Sequence, residues 1–203
     1  MPSQISIINL ALIKIGADRI TSLADDVKQA RVMSEIWDNV RRAELRRHNW
    51  NFAICRQSLA ALEETPAYGF NNYFQLPTDC LKVIQVSEYY PVGFGAWQSG
   101  GVMSDTSEYQ IEGRKIASNY GPPLYIKYIK DIEDTNTYDA SFVEVLACKL
   151  AIEACEPITQ SNTKLDAKWK EYKEAVRLAL RADAVENPPA DLQDSSWLQA
   201  RES

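Results

Sequence analysis

The chain has a single histidine, His48, four cysteines, and no apolar run approaching the roughly 20 residues that cross a bilayer. One histidine leaves little room for a histidine-rich zinc site or a conventional catalytic triad. The cysteines, Cys55, Cys80, Cys148 and Cys155, show no CxxC spacing. On a helix, Cys148 and Cys155 would share a face two turns apart, roughly 10 Å, which is beyond disulfide reach. They read as small buried hydrophobes in a reducing compartment. Basic charge is short as well. Lys and Arg number 22 against 28 Asp and Glu, which gives a net charge of −6 and an isoelectric point near 5.0. A chain that grips DNA with its whole surface shows the opposite balance. The opening MPSQISIINLALIKIG is apolar, but no basic segment precedes the run and Lys14 follows it, so it reads as an amphipathic helix and not a secretory leader.

What is present suits a soluble globular chain: 203 residues, 45% hydrophobic and 25% charged, enough for one domain with an insertion. The pattern predicts α+β architecture, mainly α: a four-helix bundle with an inserted small antiparallel sheet and an extended C-terminal arm. Residues 1–186 form a single domain in this reading. The first helix spans 3–15, with Ser3 as N-cap, Gly16 as C′ residue, and Ile5, Ile8, Leu12 and Ile15 at helical spacing. The second spans 26–49, capped by Asp25 or Asp26, with Val27, Ala30, Met33, Trp37, Val40 and Ala43 as its buried stripe. A β-rich insertion covers 51–134, with strands expected at 53–60, 80–90, 109–111, 115–118 and 124–131. Glu112-Gly113-Arg114-Lys115 fits a two-residue hairpin with Gly113 first in a type II′ turn. The third helix, 139–157, is capped by Asp139 and is apolar around most of its circumference, so it sits in the middle of a bundle or against two neighbours. The fourth, 163–185, carries Leu165, Trp169, Tyr172, Val176, Ala179 and Leu180 on one side and an Asp166–Lys170 pair on the other. Residues 187–203, NPPADLQDSSWLQARES, have two prolines and no periodicity, and read as an extended arm.

Three groups of residues are candidates for contact. Arg41, Arg42, Arg46 and Arg47 fall within seven residues at the end of the second helix. They read as a basic interface patch for a protein partner or for DNA phosphates, or as charges that simply complement the helix dipole. The segment PVGFGAWQSGGVMSDTS has Gly93 and Gly95, but Gln98 stands where a third glycine of a dinucleotide loop belongs, and no Walker lysine follows. It reads as an interface loop carrying Phe94, Trp97 and Met103, or as a loop with incidental aromatics. The arm holds Pro188, Pro189, Leu192, Trp197, Leu198 and Arg201, and reads as a linear docking peptide or as a frayed terminus. No catalytic constellation, cofactor motif or metal-ligand spacing is apparent.

In order, the segments ALIKIGADRITSL, RRAELRRHNWNFA, LPTDCLKV, IEGRKI, PLYIKYI, FVEVLACKLAIEACEPI and SWLQAR resemble the tail tubular protein A family, the podovirus head-to-tail adaptors, over nearly the whole length. The resemblance implies a non-enzymatic ring of about twelve copies in the virion neck, assembled in the host cytoplasm. Its partners would be the portal protein, a nozzle protein resembling tail tubular protein B, and further copies of itself. Genomic DNA would pass through without sequence-specific binding, and no membrane is involved. The arm would dock on the portal, the 93–101 loop would face the next tail component, and acidic charge would line the channel. Two other readings stay open: a DNA-binding assembly factor using the arginine run, and a small hydrolase of unrecognised type.

Overall fold

Ser3 opens the first helix, accepting a 3.1 Å hydrogen bond from the Ser6 amide, and α1 runs Gln4–Ile15. Gly16 ends it at φ 71, a left-handed conformation that glycine adopts without steric cost. The Gly16 and Ala17 amides then close on the carbonyls of Ile13 and Leu12. Asn9 pins the following turn, exchanging two 2.9 Å hydrogen bonds with the backbone of Ile20.

The computed structural model describes residues 2–88 and 109–186. Among these, the remaining α-helices and β-strands are α2 (Lys28–Arg47), β1 (Ile54–Leu59), β2 (Asn72–Gln75), β3 (Cys80–Ser87), β4 (Tyr109–Glu112), β5 (Lys115–Ser118), β6 (Leu124–Lys130), α3 (Ala140–Thr159) and α4 (Asn162–Glu186). The protein is α+β and mainly α. No helix of the described residues is long and apolar enough to cross a membrane.

The start of α2 departs from the sequence reading. Val27 is its N-cap and offers no side-chain bond. Asp25 is used one turn earlier, where its carboxylate accepts from the Thr21 and Ser22 amides and the Thr21 hydroxyl, which together hold its pKa below the usual range. Val27 and Ala43, expected inside, are exposed. The buried face of α2 turns instead onto Arg41, Glu44 and Leu45 towards its end. The interior there is polar, which apolar periodicity cannot register.

Helix α3 behaves as its composition requires. Asp139 caps it, accepting a 2.8 Å bond from the Ser141 amide. Ten of its side chains, from Phe142 to Cys155, are buried, because α1, α2 and α4 all pack against it. It continues past Pro157 to Thr159 and stops at Gln160, at φ 53. Phe142 centres an aromatic cluster, with ring centroids of Trp50, Phe52 and Tyr138 at 5.1, 5.0 and 5.1 Å. Trp50 and Phe52 lie where the chain passes from α2 into β1, and Tyr138 lies where it returns to α3. The cluster therefore fastens both junctions of the β insertion to the helices.

The insertion holds two three-stranded antiparallel sheets, β1-β6-β3 and β2-β5-β4, and not the one sheet expected. The missing strand was β2, four residues long like β4 and β5 but without the hairpin glycine that marks that pair. In β6, Leu124, Ile126 and Tyr128 face the second sheet and form a separate core with Leu59, Phe74, Val86 and Ile116. Ile129 points the other way, into the helical core. Both faces of the first sheet are thus used. Gly113 has φ 60 and Arg114 a negative φ, while Glu112 pairs with Lys115, as the type II′ hairpin predicts.

Removing the Phe142 ring leaves a cavity with no solvent access. Phe142→Ala is expected to lower unfolding free energy by about 3–5 kcal/mol, whereas Asp139→Ala, which loses only the cap, costs about 1 kcal/mol. Urea denaturation of both variants checks the order, and comparable losses would contradict it.

Candidate functional site

The arginine run sorts into four different environments. Arg41 is 3% exposed and cannot belong to a surface patch. Its guanidinium donates at 2.6 Å to Asp131 Oδ1 and at 2.6 Å to the Ile132 carbonyl, just beyond β6. Arg42 reaches the other oxygen of Asp131 at 3.0 Å, and Arg46 donates to the Leu81 carbonyl in β3. Arg47 turns to the opposite side, 3.5 Å from Glu44 and 5.8 Å from the centroid of the Tyr172 ring in α4. The run braces α2 against the β insertion on one side and against α4 on the other. Arg42, Arg46 and Arg47 keep part of their surface in water; the expected patch loses Arg41.

Glu44 was missed in the sequence because it sits one position from an apolar stripe and looks like a solvent residue. It is fully buried. Oε2 accepts a 2.8 Å bond from the Tyr172 hydroxyl, while Oε1 has no hydrogen-bond partner. Burial raises its pKa above the usual carboxylate value, although the Tyr172 bond and the charges of Arg47 and Lys149 oppose the shift. Lys149 of α3 lies 2.5 Å from Glu153 and 4.9 Å above the Trp169 ring, which closes the same seam.

His48 follows directly, at the C-cap of α2, edge-on to Trp50 at a centroid distance of 5.5 Å. Its Nε2 is buried without a partner. Burial, Arg47 and Lys82 lower its pKa, so the ring is neutral at physiological pH. This is the setting of a half-buried histidine packed against Trp50.

A second polar seam joins α1, α3 and α4. Lys14 Nζ lies 2.5 Å from Glu144 Oε1 and 2.5 Å from Glu171 Oε1. The Cys148 sulfur stands 3.8 Å from each of these oxygens. The three ligand atoms of Glu144, Cys148 and Glu171 lie within 4.8 Å of one another, a spacing that could hold a metal ion. The ammonium of Lys14 already occupies that position and supplies the positive charge. The donor set therefore fits an internal ion cluster and not a metal centre. Burial pulls the Lys14 pKa down, but the hydrogen bonds to both carboxylates outweigh it and raise it overall. Burial pushes the Cys148 thiol up to about 11, which keeps it protonated and unreactive. Lys164 completes the seam by donating to the Ile15 carbonyl at the end of α1.

The expected Asp166–Lys170 pair does not form; α4 pairs Lys168 with Glu171 at 2.7 Å instead. The inner face of α4 is as predicted around Tyr172 and Ala179. Its outer face carries a second apolar stripe that the single-face reading passed over. Leu178 is 51% exposed and Val185 76% exposed, seven residues apart, with exposed Ala182 between them. Pro188, Pro189, Leu192, Trp197, Leu198 and Arg201 of the arm, and Phe94, Trp97 and Met103 of the loop, lie outside the described residues.

Two outcomes test these seams. Lys14→Ala should cost about 1–2 kcal/mol, between the values for exposed and buried pairs, because the two carboxylates keep about a third to a half of their surface in water. For Glu44, a folded-state pKa above 4.5 means that the unfolded chain ionises first as pH rises. Stability is lost from about pH 4.5 up to the folded-state pKa and then levels. Measured by urea midpoints at successive pH values, the wild type should lose ground to Glu44→Gln over that interval. Parallel profiles would refute the assignment.

No family model matches this chain, and no curated protein matches it by sequence.

Proposed function

We propose that the chain is a structural adaptor of the phage neck, resembling tail tubular protein A, which assembles side by side with its copies into a ring beneath the portal. The observation that carries the reading is the outer face of α4. Leu178, Ala182 and Val185 form an apolar stripe directed away from the core that α3 organises. Ile13 on α1, 56% exposed, adds a second apolar position on the surface. Exposed apolar side chains aligned on one regular element are the usual material of protein interfaces. A surface of one copy that meets a different surface on the next gives a heterologous contact, and such contacts close into rings when the rotation allows.

The geometry also bears on the DNA-binding alternative. Arg41 is committed to Asp131 and Ile132, and Arg42 shares the same carboxylate. That leaves a weaker cationic surface than four free arginines would provide. An acidic chain of net charge −6 suits a protein that DNA slides past and not one that holds it. In this reading the arm, 187–203, reaches the portal and supplies Trp197 and Leu198 as anchors.

Co-sedimentation with portal rings of the same phage tests the reading. Wild-type protein should load in a fixed stoichiometry. The double variant Leu178→Asp with Val185→Asp should load at least tenfold less, while its urea midpoint stays within about 0.5 kcal/mol of wild type, since neither residue is in the core. Deleting residues 188–203 should also weaken loading strongly. Equal loading by the double variant would remove the α4 face from the assembly.

A further inference from the structure

Arg56 of β1 and Lys127 of β6 are direct cross-strand partners in the first sheet. Like charges placed opposite each other on one sheet face repel and weaken the pairing. Among the described residues neither has a carboxylate within ion-pair distance, although other surface cations of the insertion have one, such as Lys115 with Glu64 and Lys130 with Asp79. Burial and the charge of Arg56 both lower the Lys127 pKa, the signature of a cation short of counter-charge. The two side chains line a depression of about 310 Å³ together with Asn51, Ile54 and Glu186. An anion seated there would relieve the repulsion.

The place where the chain leaves the described structure identifies the occupant. Glu186 is the last residue of α4 and forms the rim of this depression. Asn51 fixes that end of the helix, its amide and side chain donating to Asp183 Oδ1 and the Asp183 carbonyl at 3.0 and 2.7 Å. Pro188 and Pro189 follow two and three residues after Glu186. Asp191 and Asp194 follow five and eight residues after Glu186. At about 3.1 Å per residue, the intervening chain can span at most roughly 15 and 25 Å from the rim. So short a tether gives the segment a millimolar effective concentration at the depression, well above that of a second molecule in dilute solution.

We propose that in the free protein the acidic segment around Asp191 and Asp194 of the same chain docks in the Arg56–Lys127 depression, as a counter-charge held in cis. This inference goes beyond the adaptor reading and stands whether or not that reading does.

Zero-length carbodiimide cross-linking of the full chain, read by peptide mass spectrometry, tests it. Lys127 should join Asp191 or Asp194 within the monomer band, and Arg56→Glu, which keeps the Lys127 amine, should lower that yield at least tenfold. The Lys130–Asp79 pair, 3.5 Å apart in the same sheet, is the internal control that the fold persists in each variant. Four results would overturn the proposal. The first is no Lys127 link to either aspartate while the control link forms. The second is an undiminished link in Arg56→Glu. The third is a link found only in covalent dimers, which would seat the segment on a second copy. A labelled DNA duplex retained by the wild type and released by Arg56→Glu, with no aspartate link, would likewise overturn it and assign the pair to phosphate.

Discussion

The constraint on which the rest of the structure depends is the composition of α3. Ten of its side chains are buried, and they cover most of its circumference. Such a helix cannot rest on one neighbour, since whatever face is left over would stand in water at roughly 25 cal/mol for each Å² of apolar surface. It therefore requires partners on several sides, and α1, α2 and α4 supply them. The aromatic cluster around Phe142 extends the same demand to the two junctions of the β insertion. The insertion is thereby held to the helices at its roots, while its own second core lies farther out, between the two sheets.

Surrounding one helix with three others creates seams wholly or partly shut off from water, and charged groups that fall in a seam gain by finding partners there. The Lys14 cluster meets this requirement with two carboxylates. Glu44 meets it with the Tyr172 hydroxyl hydrogen-bonded to one oxygen and the Arg47 guanidinium 3.5 Å from the other. Each seam joins segments far apart in the chain, Lys14 to Glu171 and Glu44 to Tyr172. Such groups contribute less to net stability than to fixing which helix lies against which, because a carboxylate in the wrong seam would remain unpaired.

The same economy explains the arginine run. A cation at the end of α2 gains from the helix dipole, but the carboxylate of Asp131 and the carbonyls of Ile132 and Leu81 give Arg41, Arg42 and Arg46 closer partners. Among the described residues, two outward-facing features find no such partner: the apolar stripe on α4 and the Arg56–Lys127 pair on the first sheet. The apolar stripe suits recognition of protein, which supports the adaptor proposed above.

Several features were legible in the amino-acid order alone because they rest on local rules. Ser3, Gly16 and Asp139 mark helix ends through backbone groups within a turn, and Gly113 sets its hairpin through its own φ. The apolar girth of α3 announced a central helix without saying what would surround it. Tertiary structure decided the rest. Asp25 could cap α2 by spacing, yet it folds back onto Thr21 and Ser22, since a turn closed by three donors outcompetes a single cap. Glu44 and Arg41 look like solvent residues in the sequence, and only the approach of α4 and of the segment after β6 makes them internal. The cross-strand meeting of Arg56 and Lys127, residues 71 positions apart, depends on strand register, which long-range pairing sets and local sequence does not.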